Sequence, residues 1–325
     1  MPPSTRTLPV SSELRWLLDH WQSDGRWPVP EAPRPTSGIV LIRDGTEGLE
    51  VFITRQLDAR GVEDRNRWAF PTSSLRPGDV RKLPLAGWNS ARCARALSIE
   101  NKSRALHHFS AAARITFAAT GILLAEDVDR EVVAVPQTDW RTTRSRLFSN
   151  EVSWSQVLRD RDVKLRPDLC KPWLRWINTP TQLHRFDTTF FIATVPFGQE
   201  VDFLSPNETS GGWKRPSQVL EEVGDDPNSI GASARLIVES LSEVTTVGAA
   251  MAQVRNVHPL RPEIINDDGD WKVVIQTGKD PHSKGTLRDR AIAVGETDSD
   301  QSPGFLSFGG DDDDDDTLDE ETEDS

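Results

Sequence analysis

Two hydrophobic periods alternate along this chain, and each change of period marks an element. In residues 11–21 the apolar Leu14, Leu17 and Leu18 fall at helical spacing, with Ser11 or Ser12 placed to cap the first turn. Four prolines from Pro28 to Pro35 then interrupt regular structure. Residues 37–43 and 49–55 are rich in β-branched side chains and flank Asp44-Gly45-Thr46-Glu47-Gly48, which predicts a hairpin. Trp68-Ala69-Phe70-Pro71 predicts a short strand stopped by proline. Residues 72–109 exceed an ordinary loop and predict one or two helices, one of them over 89–97. Residues 110–124 start as a helix and reach Gly121 where a C-terminal stop belongs, before Ile122-Leu123-Leu124.

The second half follows the same logic. Helices are predicted over 131–148, 153–160, 216–223 and 232–254, and strands over 173–178, 188–196 and 271–276. Beyond about residue 278 the chain is polar and ends in a run of aspartates, which predicts disorder. The order of elements gives a mixed α/β chain without internal repeats.

Charge changes the picture in one place. The formal net charge is −13, but 14 of the 51 acidic residues lie in 296–325, where there is no Lys or Arg. The remainder balances 38 basic against 37 acidic residues, so the body is close to neutral and shows no basic stripe for nucleic acid. Cys93 and Cys170 have no metal-type spacing and no sign of a secreted scaffold, although a disulfide between them stays open. There is no apolar run of the length a membrane span needs, and residues 1–16 lack the apolar core of a signal peptide, so the expected address is the cytoplasm.

A hairpin, a strand ending in Phe70-Pro71, and a helix running from Arg114 through Phe117 into Gly121-Ile122 together resemble the Nudix hydrolases. The family's box ends in Arg-Glu-hydrophobic-x-Glu-Glu-x-Gly-hydrophobic; here the segment reads Arg114-Ile115-Thr116-Phe117-Ala118-Ala119-Thr120-Gly121-Ile122. The resemblance runs from Ser37 to Gln276. It is most specific to the branch of coenzyme A diphosphatases with a long insertion, through Trp173 to Pro180, Arg185-Phe186-Asp187-Thr188-Thr189-Phe190-Phe191, and Trp213 to Pro216. It implies an α/β/α Nudix sandwich with a mixed central sheet and helical insertions. The corresponding organisation is an N-terminal helix and Pro-rich lead-in (1–35), a Nudix-like domain (36–277) with a helical insertion (72–109) and a C-terminal extension (230–277), and a disordered acidic tail (278–325).

The resemblance also implies a chemistry that these residues lack. A Nudix enzyme holds Mg²⁺ or Mn²⁺ on glutamates at i, i+3 and i+4, one face of a helix, and the metal assists attack of water on a diphosphate. Here those positions are Ile115, Ala118 and Ala119, none of which ligates a metal. The family's Phe-Pro-Gly-Gly turn, whose glycines let backbone approach phosphate, is Phe70-Pro71-Thr72-Ser73. The carried-over pocket positions are Arg55, Phe70, Pro71 and Glu208, with Glu208 the strongest surviving carboxylate. Glu100 competes for the upstream acidic position of the box, and Glu126 and Asp127 for a rebuilt metal site; each also reads as an exposed residue. His107 and His108 are adjacent and point apart on a helix, which argues against zinc. His184 reads as surface, and neither Cys170 nor Ser73 shows a base that would activate it.

Three function classes follow. The first is a catalytically inactive Nudix-like protein that binds a nucleotide- or coenzyme-A-like ligand or a protein partner. The second is a Mg²⁺- or Mn²⁺-dependent diphosphatase with recruited ligands such as Glu208. The third is an interaction protein whose acidic tail meets a basic partner. No nucleic acid and no membrane is expected.

Overall fold

The computed structural model describes residues 4–57, 63–133, 140–181, 184–202 and 211–277. Its first elements are strand β1 (Ser4–Pro9) and helix α1 (Ser12–Asp24). The predicted hairpin is β2 (Arg34–Gly45) and β3 (Gly48–Leu57), followed by β4 (Glu63–Ala69) and β5 (Thr72–Ser74). Helices α2 (Ser90–Leu97) and α3 (Lys102–Thr120) come next, then β6 (Ala125–Glu126), α4 (Trp140–Phe148), α5 (Trp154–Asp160) and β7 (Lys164–Leu165). The rest is β8 (Cys170–Ile177), β9 (Phe186–Thr194), β10 (Gly211–Lys214), α6 (Pro216–Val223), α7 (Ala232–Ser242), α8 (Val247–Ala252), β11 (Pro259–Leu260), β12 (Glu263–Asp267) and β13 (Asp270–Thr277).

One mixed sheet organises these elements, in the order β10-β3-β2-β9-β8-β11, with β4 on β3 and β5 on β2. The pair β2–β9 is parallel over nine residues, whereas β2–β3 and β8–β9 are antiparallel. Both central strands are apolar on both faces, as strands covered by helices on two sides must be. Alternate residues of β2 divide accordingly: Ile39 and Leu41 join the core under α2, α3, α4 and α5, and Val40 and Ile42 join the other. In β9, Phe191 and Ala193 face the first core and Phe190 and Ile192 the second. The second core is covered by α1, α6 and α7 and by a small sheet, β1-β13-β12. The fold is an α/β sandwich, and each fully buried large apolar side chain contributes about 1.5–3 kcal/mol to it.

Capping explains the helix boundaries. Ser11 accepts from the Leu14 amide at 3.3 Å, Asn89 from Arg92 at 3.0 Å and Asn101 from Arg104 at 2.9 Å. Gly121 ends α3 at φ 76, a conformation that favours glycine. Four expectations change. Helix α3 starts at Lys102, so the end of the 72–109 insertion is already part of it. The helix expected over 131–148 starts at Trp140; before it Val133 donates to the Ala125 carbonyl at 3.1 Å, and residues 134–139 lie outside the described ones. The helix expected over 232–254 is broken between α7 and α8. There Thr245 accepts from the Leu49 amide (3.2 Å) and Asp44 from the Val247 amide (2.8 Å), so the hairpin holds the break open. Finally, β1 was not expected; its residues are half polar, and its register with β13 is a tertiary property. The expected tail, 278–325, lies outside the described residues, as does Glu208.

Candidate functional site

The last turns of α3 carry the box positions. Ile115 and Ala119 are half-buried and Ala118 is buried, so this part of the helix presents methyl groups. Ile115 packs against the first core. Thr116 and Thr120, on the opposite side, turn their hydroxyls back onto the Ala112 and Thr116 carbonyls at 2.7 Å.

Two arginines hold this helix. Arg114 is buried, and its guanidinium donates to Asp79 at 2.5 and 3.2 Å, to the Ser74 carbonyl at 2.8 Å and to Ser73 Oγ at 3.1 Å. Asp79 lies on a short 3₁₀ turn, 1% exposed, and also accepts from the Arg76 amide at 2.9 Å. This acidic partner escaped sequence reasoning, because 34 residues separate it from Arg114; Glu100, weighed for the upstream acidic position of the box, is exposed. The hydroxyl of Ser73 accepts from Arg114 and itself lies against the Ser74 carbonyl.

Arg144 comes from α4 and is 2% exposed. It donates to the Ala118 carbonyl at 2.9 Å and the Ala119 carbonyl at 3.0 Å, and reaches Asp202 Oδ2 at 3.3 Å. A fixed cation therefore sits on the C-terminal carbonyls of α3, the negative end of the helix dipole. Asp202 is shared with Arg141 at 3.2 Å, and its amide donates to the Thr120 carbonyl.

The remaining candidates separate. Arg55 stacks over Trp68 at 4.1 Å, and Trp68 and Phe70 belong to the second core, across the sheet from Ile115. Pro71 accepts from the Ile39 amide at 3.0 Å, which fixes β5 beside β2. The structure thus does not bring Arg55 and Phe70 to the box face. Glu126 pairs with Arg166 at 2.9 Å, and Asp127 accepts from the Asp129 and Glu131 amides in a turn. His107 donates to the Arg76 carbonyl at 2.6 Å. His184 is exposed and lines a cavity on the second-core side. Cys93 and Cys170 are buried free thiols; burial pushes Cys93 up to about 12 and raises Cys170 as well, which leaves neither reactive.

Ser37 and His108 stand 3.1 Å apart, a nucleophile-and-base distance, but both are fully buried and no substrate can reach them. Burial pushes His108 down to about 4 from the ordinary 6.5, against the upward pull of Asp187. The unfolded chain therefore takes up this proton first, so stability present above pH 6.5 is lost as pH falls towards 4. A His108→Gln variant is expected to lose stability less steeply than the wild type across that window. Urea midpoints at several pH values check it, and parallel profiles would refute it.

No family model matches the chain, and no curated protein matches it. Among solved structures it is similar to a Nudix hydrolase from Alicyclobacillus acidocaldarius, at 20% identity and a TM-score of 0.56, over 70% of this chain and 99% of that one. The fold is a Nudix fold. Weaker superpositions include the C. elegans Ap4A hydrolase binary complex (10% identity, TM-score 0.32, 65% of this chain and 96% of that one). Another is a MutT Nudix hydrolase from Burkholderia pseudomallei (14% identity, TM-score 0.30, 64% and 98%). Only the first carries weight for the architecture.

The Nudix fold raises the question of a divalent metal. A hard cation needs several convergent oxygens, and the box face offers Ile115, Ala118 and Ala119. The neighbouring carboxylates are engaged: Asp79 by Arg114, Asp202 by Arg144, Glu126 by Arg166. Among the described residues no group of three His, Cys, Asp or Glu is placed to hold a metal. The described donor set does not fit the ion. No helix among the described residues is long and apolar enough to cross a membrane.

Proposed function

We propose that this chain is a Nudix-fold binding protein and not a metal-dependent diphosphatase. The observation that supports the reading best is the end of α3, where methyl groups occupy the ligand positions and Arg144 is fixed on the Ala118 and Ala119 carbonyls. A guanidinium there repels a second cation, and its hydrogen bonds already satisfy the carbonyls that an incoming ion would find. What the fold retains is its scaffold: Arg114, Phe117, Gly121 and Ile122 all keep packing or capping roles. Its ligand is a nucleotide- or coenzyme-A-like molecule or a protein partner, which a scaffold of this kind accepts through sites outside the box.

The test is turnover. Purified full-length protein with Mg²⁺ or Mn²⁺ and a panel of nucleoside diphosphate derivatives and coenzyme A is expected to release phosphomonoester no faster than buffer. Release that scales with protein, stops with chelator and is lost in Glu208→Ala would establish the metal-dependent alternative instead. In the same samples a binding protein is expected to show a raised unfolding temperature with its ligand, since a molecule that binds only the folded state stabilises it.

A further inference from the structure

On the second-core side of the sheet, away from the box, lies a partly open cavity of about 660 Å³. That volume falls within the range of small-molecule sites, roughly 300–1,000 Å³. Its apolar wall comes from three separate parts of the chain: Leu14 and Leu17 of α1, Trp176 of β8 and Ile264 of β12. None of these elements belongs to the box, and the cavity exists only because β1 and α1 pack against the C-terminal strands.

The polar part of the lining gathers three guanidiniums. Arg6, Arg67 and Arg235 all line the cavity. Arg6 and Arg235 are brought together by Glu239, which pairs with Arg6 and lies 3.7 Å from Arg235. Arg235 also donates to the Gly224 carbonyl, and the Arg67 guanidinium lies against Gly231, where an added Cβ would come within 3.1 Å of it. The Arg67 and Arg235 side chains are partly buried and that of Arg6 is 41% exposed, while the acids on the lining, Glu13 and Asp225, are exposed. Glu239 offsets one of the three charges, and partly buried charge is screened less than charge in open water, so Arg67 and Arg235 weigh more inside the cavity than the exposed Glu13 and Asp225. Each guanidinium has five N–H donors, and one shared carboxylate oxygen does not exhaust two of them.

We propose that this cavity is a binding site for an amphipathic anion: a carboxylate or phosphate head held by Arg6, Arg67 and Arg235, on an apolar body lying against Leu14, Leu17 and Trp176. Planar guanidiniums suit either head, because both present paired oxygens. The site stands on different residues from the box helix, so it holds whether or not the box supports turnover.

Four probes test it on the full chain by thermal unfolding and calorimetry: octanoate, octyl phosphate, octanol and inorganic phosphate. Octanoate or octyl phosphate, or both, is expected to raise the unfolding temperature with dose, and whichever acts identifies the head. Octanol and inorganic phosphate, each lacking one half of the chemistry, are expected to bind at least tenfold more weakly. Leu17→Trp fills the cavity and is expected to abolish binding, with Leu14→Trp as the second variant should the first not fold. Arg6→Gln, checked for a native circular dichroism spectrum, is expected to weaken the anions about tenfold, the loss of one charge-assisted contact. The proposal is overturned if neither anion binds the wild type, if octanol binds as well as octanoate, or if the folded cavity variants bind unchanged.

Discussion

Replacing Arg114 by methionine is expected to cost about 3–5 kcal/mol of stability, the largest effect of any single change considered, because it strands a buried carboxylate. Asp79 and Arg114 are 1% and 2% exposed, and the pair is bidentate. Removing the guanidinium leaves Asp79 with the Arg76 amide at 2.9 Å and His107 at 3.7 Å, which are too few to solvate a charge in the core. It also leaves the Ser74 carbonyl without the donor that ties β5 to α3. The double variant Arg114→Met with Asp79→Leu is expected to recover much of the loss, since an apolar pair of similar size removes the stranded charge. Urea unfolding of the wild type, both single variants and the double variant gives the cycle. A single-variant loss below about 1 kcal/mol would mean the pair is solvated like a surface ion pair.

Arg144→Ala is expected to cost about 2–4 kcal/mol, since hydrogen bonds to a charged group are worth about 1.5–3 kcal/mol each and do not add fully. Two carbonyls at the end of α3 lose their donor, and Asp202 keeps Arg141. Arg144→Lys is expected to recover only part, because a single ammonium cannot span both carbonyls and Asp202 as the planar fork does. Arg141 is the control: with 55% of its side chain exposed, Arg141→Ala is expected to cost less than about 1 kcal/mol. If Arg144→Ala and Arg141→Ala unfold at the same urea concentration, the cap on α3 is not what stabilises this helix. The comparison bears on function too, since the same guanidinium argues against a metal at the box.

How much of this was legible in the sequence depended on whether the signal was local. The N-cap at Ser11 or Ser12, the stop at Gly121, helices over 89–97 and 153–160, the β2–β3 hairpin, and α6 over residues 216–223 could all be read directly, because a cap or a turn is decided within a few residues. Substitution of the box glutamates was visible for the same reason: three positions on one helical face are fixed by the period of the helix.

Other features had no local signal. Asp79 as the partner of Arg114 emerged only when a long insertion folded back onto α3. Asp187 of the Arg185-to-Phe191 motif similarly proved to be a tether, accepting from Arg175 at 2.7 and 2.6 Å and binding β8 to β9. The break after Ser242 came from hydrogen bonds to the distant β2–β3 hairpin that outcompete helix propensity, and Val133, expected in a helix, instead bonds back to β6.

The sequence by itself determined that the chain builds a helix-covered β hairpin and strand pair, and that its α3 ends in methyl groups where the Nudix resemblance expects carboxylates. Tertiary structure decided what surrounds those methyl groups. It set Arg144 on the helix end, sent Arg55 and Phe70 to the other face of the sheet through the two-residue period of β3 and the turn after β4, and closed the arginine-lined cavity between α1 and the C-terminal strands. Each of those is a contact between residues far apart in the chain, and only the packed fold fixes which of them meet.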